Sequence, residues 1–473
     1  MDNKRGIRKE AGESGEGIRL GGKLGGMSLT MQVVTLAMWP LLEQILAFFV
    51  GLTDMLIAGR MATGEARVAI LDAMGLGGYV GWFIGILQGA VATGVMALVS
   101  RSTGAGDDKL ANRALGQGVW LGAGAGFATL LILQAGTMLL IQWMGLRPDA
   151  AVEAEKYIRM LAYSGPVSGA LFAINAALRG SGDTRTPFLA MVVVNIVNVS
   201  VSIFLVFGKA PWGGMGVDGI ALGTVCGWIA GLFTVVLMLA LKTTGLRWSK
   251  AGLCLHFETL KRVWRVGVPQ AIEIAGMWTI HSFGVRVMST LPQEGALGAH
   301  FIAVRLESMS FLPGFAIAVA ASALTGQYLG AGSKDMALRA VRLSWKIAVG
   351  LMIGLGLCFF LGRETLIGLM APGSDIHSSL AGPLLVISAV TQPFFATCII
   401  LKTSMRGAGA TKLVMAWSFG SMIFYRILIM AALSHLGWIT LSGVWIIFGL
   451  DMVTQAVVFM RLHFQGKWLD ARV

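Results

Sequence analysis

Long runs of apolar residues, separated by short polar stretches, recur along the whole chain. A run of about 20 apolar residues is long enough to cross the hydrocarbon core of a bilayer as a helix. Twelve such windows are present, at residues 33–58, 75–100, 115–142, 156–178, 186–208, 219–241, 266–291, 297–325, 343–362, 379–404, 412–435 and 439–462. The pattern therefore predicts an all-α integral membrane protein with twelve transmembrane helices.

The composition also indicates a lipid environment. Of the 473 residues, 56% are hydrophobic and 13% are charged, whereas about a quarter of the residues of an ordinary soluble domain are charged. Residues 1–30 are polar, Gly-rich and basic, and they lack the apolar core of a cleavable signal peptide. The four cysteines are scattered, with neither metal-ligand spacing nor a disulfide framework. No metal or cofactor is therefore expected.

The basic residues are distributed unevenly between the predicted loops. The formal net charge of +13 would suit a nucleic-acid partner, but the tails and even-numbered loops hold 26 of the 37 Lys and Arg residues. This bias is the positive-inside pattern, and it predicts that both termini are cytoplasmic. We therefore expect a monomeric, multi-pass protein of the cell (inner) membrane. Its expected surroundings are the lipid bilayer, and no nucleic-acid partner is expected.

Three landmarks of the first half recur in the second half. ALVSRSTGAGDDKLANRAL (97–115) aligns without a gap with ALTGQYLGAGSKDMALRAV (323–341), and eight of the nineteen positions are identical. The offset is 226 residues there, 227 residues for RGSGDT (179–184) and RGAGAT (406–411), and 229 residues for Pro40 and Pro269. This regularity indicates an internal duplication.

The duplication predicts the organisation of the chain. Six helices per half is an even number, so both halves enter the membrane in the same direction and form a parallel repeat, with the substrate between them. The predicted parts are a cytoplasmic tail (1–30), an N-lobe with helices 1–6 (31–241), a cytoplasmic linker (242–265), a C-lobe with helices 7–12 (266–463) and a second cytoplasmic tail (464–473).

Several segments, taken in order, resemble one transporter family. WPLLEQILAFFVGLTDMLIAG (39–59), ALRGSGDTRTP (177–187), GIALGT (219–224) and RLHFQGKW (461–468), with the duplicated segments, resemble MATE (multidrug and toxic compound extrusion) transporters along nearly the whole chain. The resemblance implies a V-shaped twelve-helix fold with two six-helix lobes. It also implies a multidrug efflux antiporter, which exchanges a cation for an amphipathic, often cationic, drug-like compound by alternating access.

Ionisable residues inside a membrane are costly and often mark transport pathways. By the resemblance, Asp54 falls on the aspartate of helix 1 that binds the coupling H+ or Na+, and Asn198 and Thr224 fall on its polar partners. Many family members carry a second aspartate where this chain has Ser202, and one carboxylate fewer weakens the ligation of a hard cation. Proton coupling is therefore favoured over Na+ at Asp54, Asn198 and Thr224. The alternative is that Asp54 only holds its helices together.

Four further residues are candidates for substrate contact or for a second ionisable site: Glu43, Glu273, Glu307 and Gln392. Glu43 precedes Asp54 by eleven residues, so both side chains can lie on one face of the helix. Glu273 lies one turn after Pro269, and pairing with Lys402 or another intramembrane base explains it equally well.

Three rival functions remain at this point. A lipid-linked oligosaccharide flippase of the same superfamily would share the topology, but four intramembrane bases against five acids favour a cationic or neutral solute. An integral-membrane enzyme would need a clustered catalytic motif, and the sequence shows none. A channel would need pore-lining rings or a filter loop, which the duplicated halves do not suggest.

Overall fold

The computed structural model describes residues 20–21, 24–209, 213–248, 250–370 and 375–471, and these residues form helices without any strand. A π-helical segment covers Ile423–Ile429, and a 3-10 turn covers Lys467–Asp470. The helices are α1 (Leu29–Met61), α2 (Gly64–Gly104), α3 (Asp108–Met144), α4 (Pro148–Ala162), α5 (Gly165–Gly180), α6 (Arg185–Phe207), α7 (Gly216–Ala240), α8 (Lys250–Leu253), α9 (Phe257–Ser289), α10 (Ala296–Gly330), α11 (Lys334–Met370), α12 (Asp375–Gly407), α13 (Thr411–Met422), α14 (Met430–His435) and α15 (Leu441–Gln465).

Each of the twelve apolar windows coincides with a helical element. Within the described ranges, ten helical spans are long and apolar enough to cross a membrane, and one of them runs through α13, the π-helical segment and α14. The bent pair α4 and α5 makes an eleventh span. The remaining window, 266–291, belongs to α9, where Gln270, Glu273 and His281 interrupt the apolar run. The window 156–178 is one straight run in the sequence, but the chain bends there by 50°. Pro166 at the start of α5 explains the break, since proline removes a helical hydrogen bond.

The chain divides into two compact units. Among the described residues, unit 1 contains Met38–Val268, and unit 2 contains Gly26–Ala37 and everything from Pro269 onwards. Each unit has its own apolar core: Ala58, Ile158 and Ile220 are wholly buried in unit 1. Ala299 and Leu384 are wholly buried in unit 2.

Two helices therefore begin in one unit and continue in the other. The first residues of α1 pack in unit 2, where the hydroxyl of Tyr328 donates a 2.7 Å hydrogen bond to Gln32. The first residues of α9 pack in unit 1, where a Cβ on Gly94 would lie 2.3 Å from the carbonyl oxygen of Val263. The change of unit falls within three residues of Pro40 in α1 and at Pro269 in α9.

The duplication is visible in the local structure of both units. Gly182 and Gly409, which hold the same place in the two Arg-Gly motifs, both adopt the left-handed conformation, with φ of 91° and 96°. A Cβ on Gly180 would lie 2.9 Å from the carbonyl oxygen of Met96. A Cβ on Gly407 would lie 2.6 Å from that of Ser322. Each unit thus packs its Arg-Gly turn against the same place on its second long helix.

Candidate functional site

The structure brings Asp54, Asn198 and Thr224 together inside unit 1. The amide Nδ2 of Asn198 donates to Asp54 Oδ1 at 3.2 Å, and the hydroxyl of Thr224 donates to Asp54 Oδ2 at 2.9 Å. The same Nδ2 lies 2.9 Å from Thr224 Oγ1, so the three side chains form a closed triangle. All three are buried, with exposures of 3%, 0% and 5% respectively.

Glycines allow α6 and α7 to come close enough to complete this triangle. A Cβ on Gly227 would lie 2.8 Å from the carbonyl oxygen of Val194, and a Cβ on Gly223 would lie 2.0 Å from Ser202 Oγ. The small residues let the two backbones approach. Asn198 of α6 therefore reaches Thr224 of α7, while Asp54 comes from α1.

Asp54 has only neutral partners. Among the described residues, no Lys, Arg or His forms an ion pair with it, and its two hydrogen bonds come from an amide and a hydroxyl. A buried carboxylate without a cation is strongly disfavoured. At such a site, a proton or a metal ion from solution would neutralise the carboxylate.

The orientation of Asn198 bears on which cation fits. Its Nδ2 faces both Asp54 and Thr224, whereas its Oδ1 is buried and has no hydrogen-bond partner among the described residues. A sodium ion at Asp54 would need the amide to turn so that Oδ1 faces the ion. Ser202 donates to the carbonyl oxygen of Ile220 at 3.4 Å and forms no hydrogen bond to Asp54. No group of three His, Cys, Asp or Glu residues in the described ranges has metal-site geometry.

Glu43 lies on the same helix as Asp54 but has a different partner. Both of its carboxylate oxygens accept hydrogen bonds of 2.9 Å from Nη1 of Arg179, the arginine of the first Arg-Gly turn. The two side chains are 15% and 16% exposed. Glu43 is therefore neutralised within unit 1 and is not part of the Asp54 triangle.

Glu273 forms the matching ion pair in unit 2. Its Oε1 accepts from Nη2 of Arg406 at 2.8 Å, and Lys402 Nζ lies 3.3 Å from the same oxygen. Glu273 thus has two cations, including the Lys402 that the sequence suggested. At the 227-residue offset of the Arg-Gly motifs, Lys402 corresponds to Asn175 in unit 1, so the second positive charge is specific to unit 2.

Glu307 and Gln392 meet through serines between α10 and α12. Ser388 donates to Glu307 Oε1 at 2.8 Å. The amide Nε2 of Gln392 donates to Ser310 at 3.1 Å, and its Oε1 is buried without a partner. These two candidates therefore share one polar cluster, and Glu273 lies in a different one.

Sequence reasoning named Lys402 as a partner of Glu273, but it did not identify the arginine that pairs with each of the two glutamates. Arg179 and Arg406 were visible only as repeated letters, although their presence in both copies of a duplicated turn was a usable signal. Sequence reasoning did not single out Tyr157 either. Tyr157 is 5% exposed, and its ring fills the space beside Gly77, where a Cβ would lie 2.4 Å from Cε1.

Comparison with known proteins places these features in context. The family model MatE matches residues 39–204 and 269–428. The probable multidrug resistance protein NorM of Thermotoga maritima is 26% identical over 443 residues, which cover 92% of each chain. A protein of the same description from Pseudomonas syringae pv. tomato is 27% identical over 436 residues, covering 89% of this chain and 91% of the relative.

Two solved structures show the same fold. One is the outward-facing conformation of a multidrug resistance MATE family transporter of the MOP superfamily, with a TM-score of 0.85 and 20% identity. The other is a MOP superfamily transporter from Pyrococcus furiosus, described as having a binding pocket of reverse polarity, with a TM-score of 0.85 and 19% identity. Each comparison covers 94% of this chain and 98% of the solved chain.

Proposed function

Because this chain belongs to the MatE family, we propose that it is a multidrug efflux antiporter, which exchanges protons for amphipathic, cationic organic compounds. The observation that carries the proposal is Asp54, a buried acid without a described cation partner, held by neutral side chains from two other helices. The relatives described above are transporters and not enzymes.

The hydrogen bonds around Asp54 suit both of its protonation states. When Asp54 is ionised, Asn198 and Thr224 donate to its two oxygens. When Asp54 is protonated, its own hydroxyl donates to Thr224 Oγ1. The Thr224 hydroxyl then turns to the carbonyl oxygen of Ile220, which lies 3.3 Å away. The proton can therefore come and go without leaving a buried donor unpaired.

The transport cycle follows from the charge of Asp54. Protonation removes a buried charge and with it the reason for water to enter the site. Proline in a helix interior leaves a backbone carbonyl without its usual donor, so α1 can bend near Pro40. In the proposed cycle, this bend displaces the bound compound outwards, and loss of the proton to the cytoplasm resets the transporter. The excess of Lys and Arg in alternate loops supports cytoplasmic termini and an inner-membrane location.

Transport into proteoliposomes tests the coupling ion. We expect a proton gradient to drive accumulation of a lipophilic cation such as tetraphenylphosphonium, and a sodium gradient of equal size to drive none. Asp54→Asn should abolish the driven flux while leaving insertion and yield unchanged. Asp108→Asn, an exposed acid in the first turn of α3, is the matched control and should transport normally. Transport driven by sodium alone, or driven transport by Asp54→Asn, would overturn the proposal.

A further inference from the structure

Unit 2 lacks an acid at the position that corresponds to Asp54. The two ion-paired glutamates, Glu43 and Glu273, provide the register, because each binds the arginine of its own Arg-Gly turn. Asp54 lies eleven residues after Glu43, and the residue eleven after Glu273 is Gly284. A Cβ on Gly284 would lie 3.1 Å from Cζ of Phe448. In this register, unit 2 has a glycine packed against the ring of Phe448 where unit 1 has Asp54.

A positive charge lies on that same ring. The guanidinium carbon of Arg426 is 4.6 Å from the ring centroid of Phe448. Nε of Arg426 donates to Asp451 Oδ2 at 2.6 Å. Asp451 is wholly buried, and the side chain of Arg426 is 13% exposed. The pair thus lies beside the position that corresponds to the coupling site.

The remaining partners of Asp451 are neutral, as are those of Asp54. The hydroxyl of Ser421 and the Nε2 of Gln455 both donate to Asp451 Oδ1, the latter at 2.8 Å. Each unit thus has a deeply buried aspartate with two neutral donors from neighbouring residues or helices. The difference is that Asp451 also has a covalently attached cation, whereas Asp54 has no ion pair in the described structure.

The backbone around Arg426 differs from its counterpart in unit 1. Arg426 lies in the π-helical segment Ile423–Ile429. At the 227-residue offset, this segment corresponds to residues 196–202 of the regular helix α6, which include Asn198 and Ser202. Short π-helical segments occur frequently at functional sites. The local departure from α-helix therefore falls on the residues that build the coupling site in the other repeat.

We propose that the guanidinium of Arg426 permanently neutralises Asp451, whereas Asp54 is neutralised by an exchangeable cation from solution. Arg426 is thus a tethered cation, because its positive charge is part of the chain and cannot leave. A buried carboxylate needs a positive charge nearby, and unit 2 supplies that charge from its own chain. Cation exchange is then confined to unit 1, and one cation is exchanged per transport cycle. The inference rests on the proposed function, in which Asp54 binds the coupling cation.

The other intramembrane acids of unit 2 fit this account. Glu273 is neutralised by Arg406 and Lys402. Glu307 has one hydrogen bond, from Ser388, and forms no ion pair with any described residue. A single neutral donor compensates a buried charge poorly, and the Glu307→Gln variant tests whether Glu307 takes part in the exchange.

The coupling ratio tests the proposal. It is measured in proteoliposomes as the ion gradient that stops the net flux of tetraphenylphosphonium down a fixed gradient. We expect one cation per substrate for the natural chain and for Glu307→Gln. Arg426→Met leaves Asp451 with the neutral donors Ser421 and Gln455, so the ratio should rise to two. Arg426→Met combined with Asp451→Asn should return it to one.

Each contrary outcome is informative. A ratio that stays at one in Arg426→Met would make Arg426–Asp451 a purely structural pair and would overturn the inference. A natural ratio of two that falls to one in Glu307→Gln would also overturn it, and this result does not depend on whether Arg426→Met folds. If Asp54→Asn retains coupled transport, the proposed function itself is wrong. If Asp54→Asn loses coupling while Arg426→Met keeps a ratio of one, only the present inference fails.

A stability measurement provides a second readout. The melting temperature of Arg426→Met in detergent should rise with cation concentration more steeply than that of the natural chain, because Asp451 then needs an external cation. Adding Asp451→Asn should remove the extra dependence. An Arg426→Met protein that is destabilised equally at all cation concentrations would contradict the tethered-cation role.

Discussion

Unit 1 and unit 2 share their architecture but differ in the charges that they bury. Both have an Arg-Gly turn packed against the second long helix, and both pair the arginine of that turn with a glutamate near a helix proline. Unit 1 then buries Asp54 with neutral partners only, whereas unit 2 gives Asp451 its own arginine. Both copies of the duplication thus have the same scaffold, and in our proposal they differ in whether the cation beside the buried acid is exchangeable.

The largest expected effect is a difference in stability between the variants that lack the buried aspartate of unit 2 or of unit 1. Asp451→Asn leaves Arg426 buried without its carboxylate, and breaking a buried ion pair in this way costs roughly 3–5 kcal/mol. Asp54→Asn leaves no cation behind, since none of the described residues forms an ion pair with Asp54, and should change the stability little. Unfolding of the two purified variants in detergent measures both values. Equal losses would remove the contrast between the units.

The two Arg-Gly turns provide the next comparison. Replacing either glycine by alanine forces a Cβ into a backbone carbonyl, and overpacking of this kind typically costs about 1–3 kcal/mol. We expect Gly407→Ala to destabilise the protein more than Gly180→Ala, because the contact distances are 2.6 Å and 2.9 Å. Gly85→Ala is the control, since a Cβ there meets no atom within 4 Å. Melting temperatures of the three variants measure the order of destabilisation. A loss of stability in only one of Gly180→Ala and Gly407→Ala would argue against equivalent packing of the two turns.

The ion pairs of the two turns should respond unequally to loss of the arginine. When Arg406 is replaced by Gln, Lys402 still lies 3.3 Å from Glu273 and compensates its charge. When Arg179 is replaced by Gln, the corresponding position is Asn175, which carries no charge. Arg179→Gln should therefore cost about 1–2 kcal/mol more than Arg406→Gln, as expected for loss of a charged hydrogen bond.

Lys402→Asn provides the control for this difference. In a Lys402→Asn background, Glu273 loses its second cation, so the difference between the costs of Arg179→Gln and Arg406→Gln should shrink. Chemical unfolding of Arg179→Gln and Arg406→Gln, each in the natural chain and in the Lys402→Asn background, measures these costs relative to the unsubstituted background. A difference that persists undiminished without Lys402 would show that the asymmetry has another cause.

The smallest expected effect concerns the hydroxyl beside Asp54. Thr224→Val removes one donor to Asp54 Oδ2. Loss of a hydrogen bond to a charged group costs about 1.5–3 kcal/mol and loss of a neutral one about 0.5–1.5 kcal/mol, so the charged form of Asp54 is weakened by about 1 kcal/mol more than the protonated form. The proton concentration for half-maximal transport should therefore fall. Thr224→Ser keeps the hydroxyl and should leave this concentration unchanged. The same shift in Thr224→Ser would assign the effect to packing.

Part of this structure could be predicted from the sequence for clear physical reasons. The lengths of the apolar runs predicted the helical spans, and the repeated motifs predicted two lobes of six helices. The MATE-like fold confirms both predictions. The grouping of Asp54, Asn198 and Thr224 came from resemblance, and the structure places all three in one hydrogen-bonded triangle. Their role in coupling remains a prediction.

Other features depend on contacts between distant residues. Glu43 and Arg179 are 136 residues apart, and Glu273 and Arg406 are 133 residues apart. Such partners depend on which helix faces turn towards each other, and a single sequence does not reveal that. The bend between α4 and α5 and the π-helical segment at Arg426 were also missed, since apolar runs look alike whether the helix is straight, bent or locally widened.

The most direct test of the central claim is proton release upon substrate binding. Purified protein in weakly buffered detergent solution is mixed with tetraphenylphosphonium, and the released protons are counted with a pH indicator. The account predicts about one proton per protein molecule for the natural chain and none for Asp54→Asn, with Asp108→Asn behaving like the natural chain. Undiminished release from Asp54→Asn would contradict the assignment of coupling to unit 1.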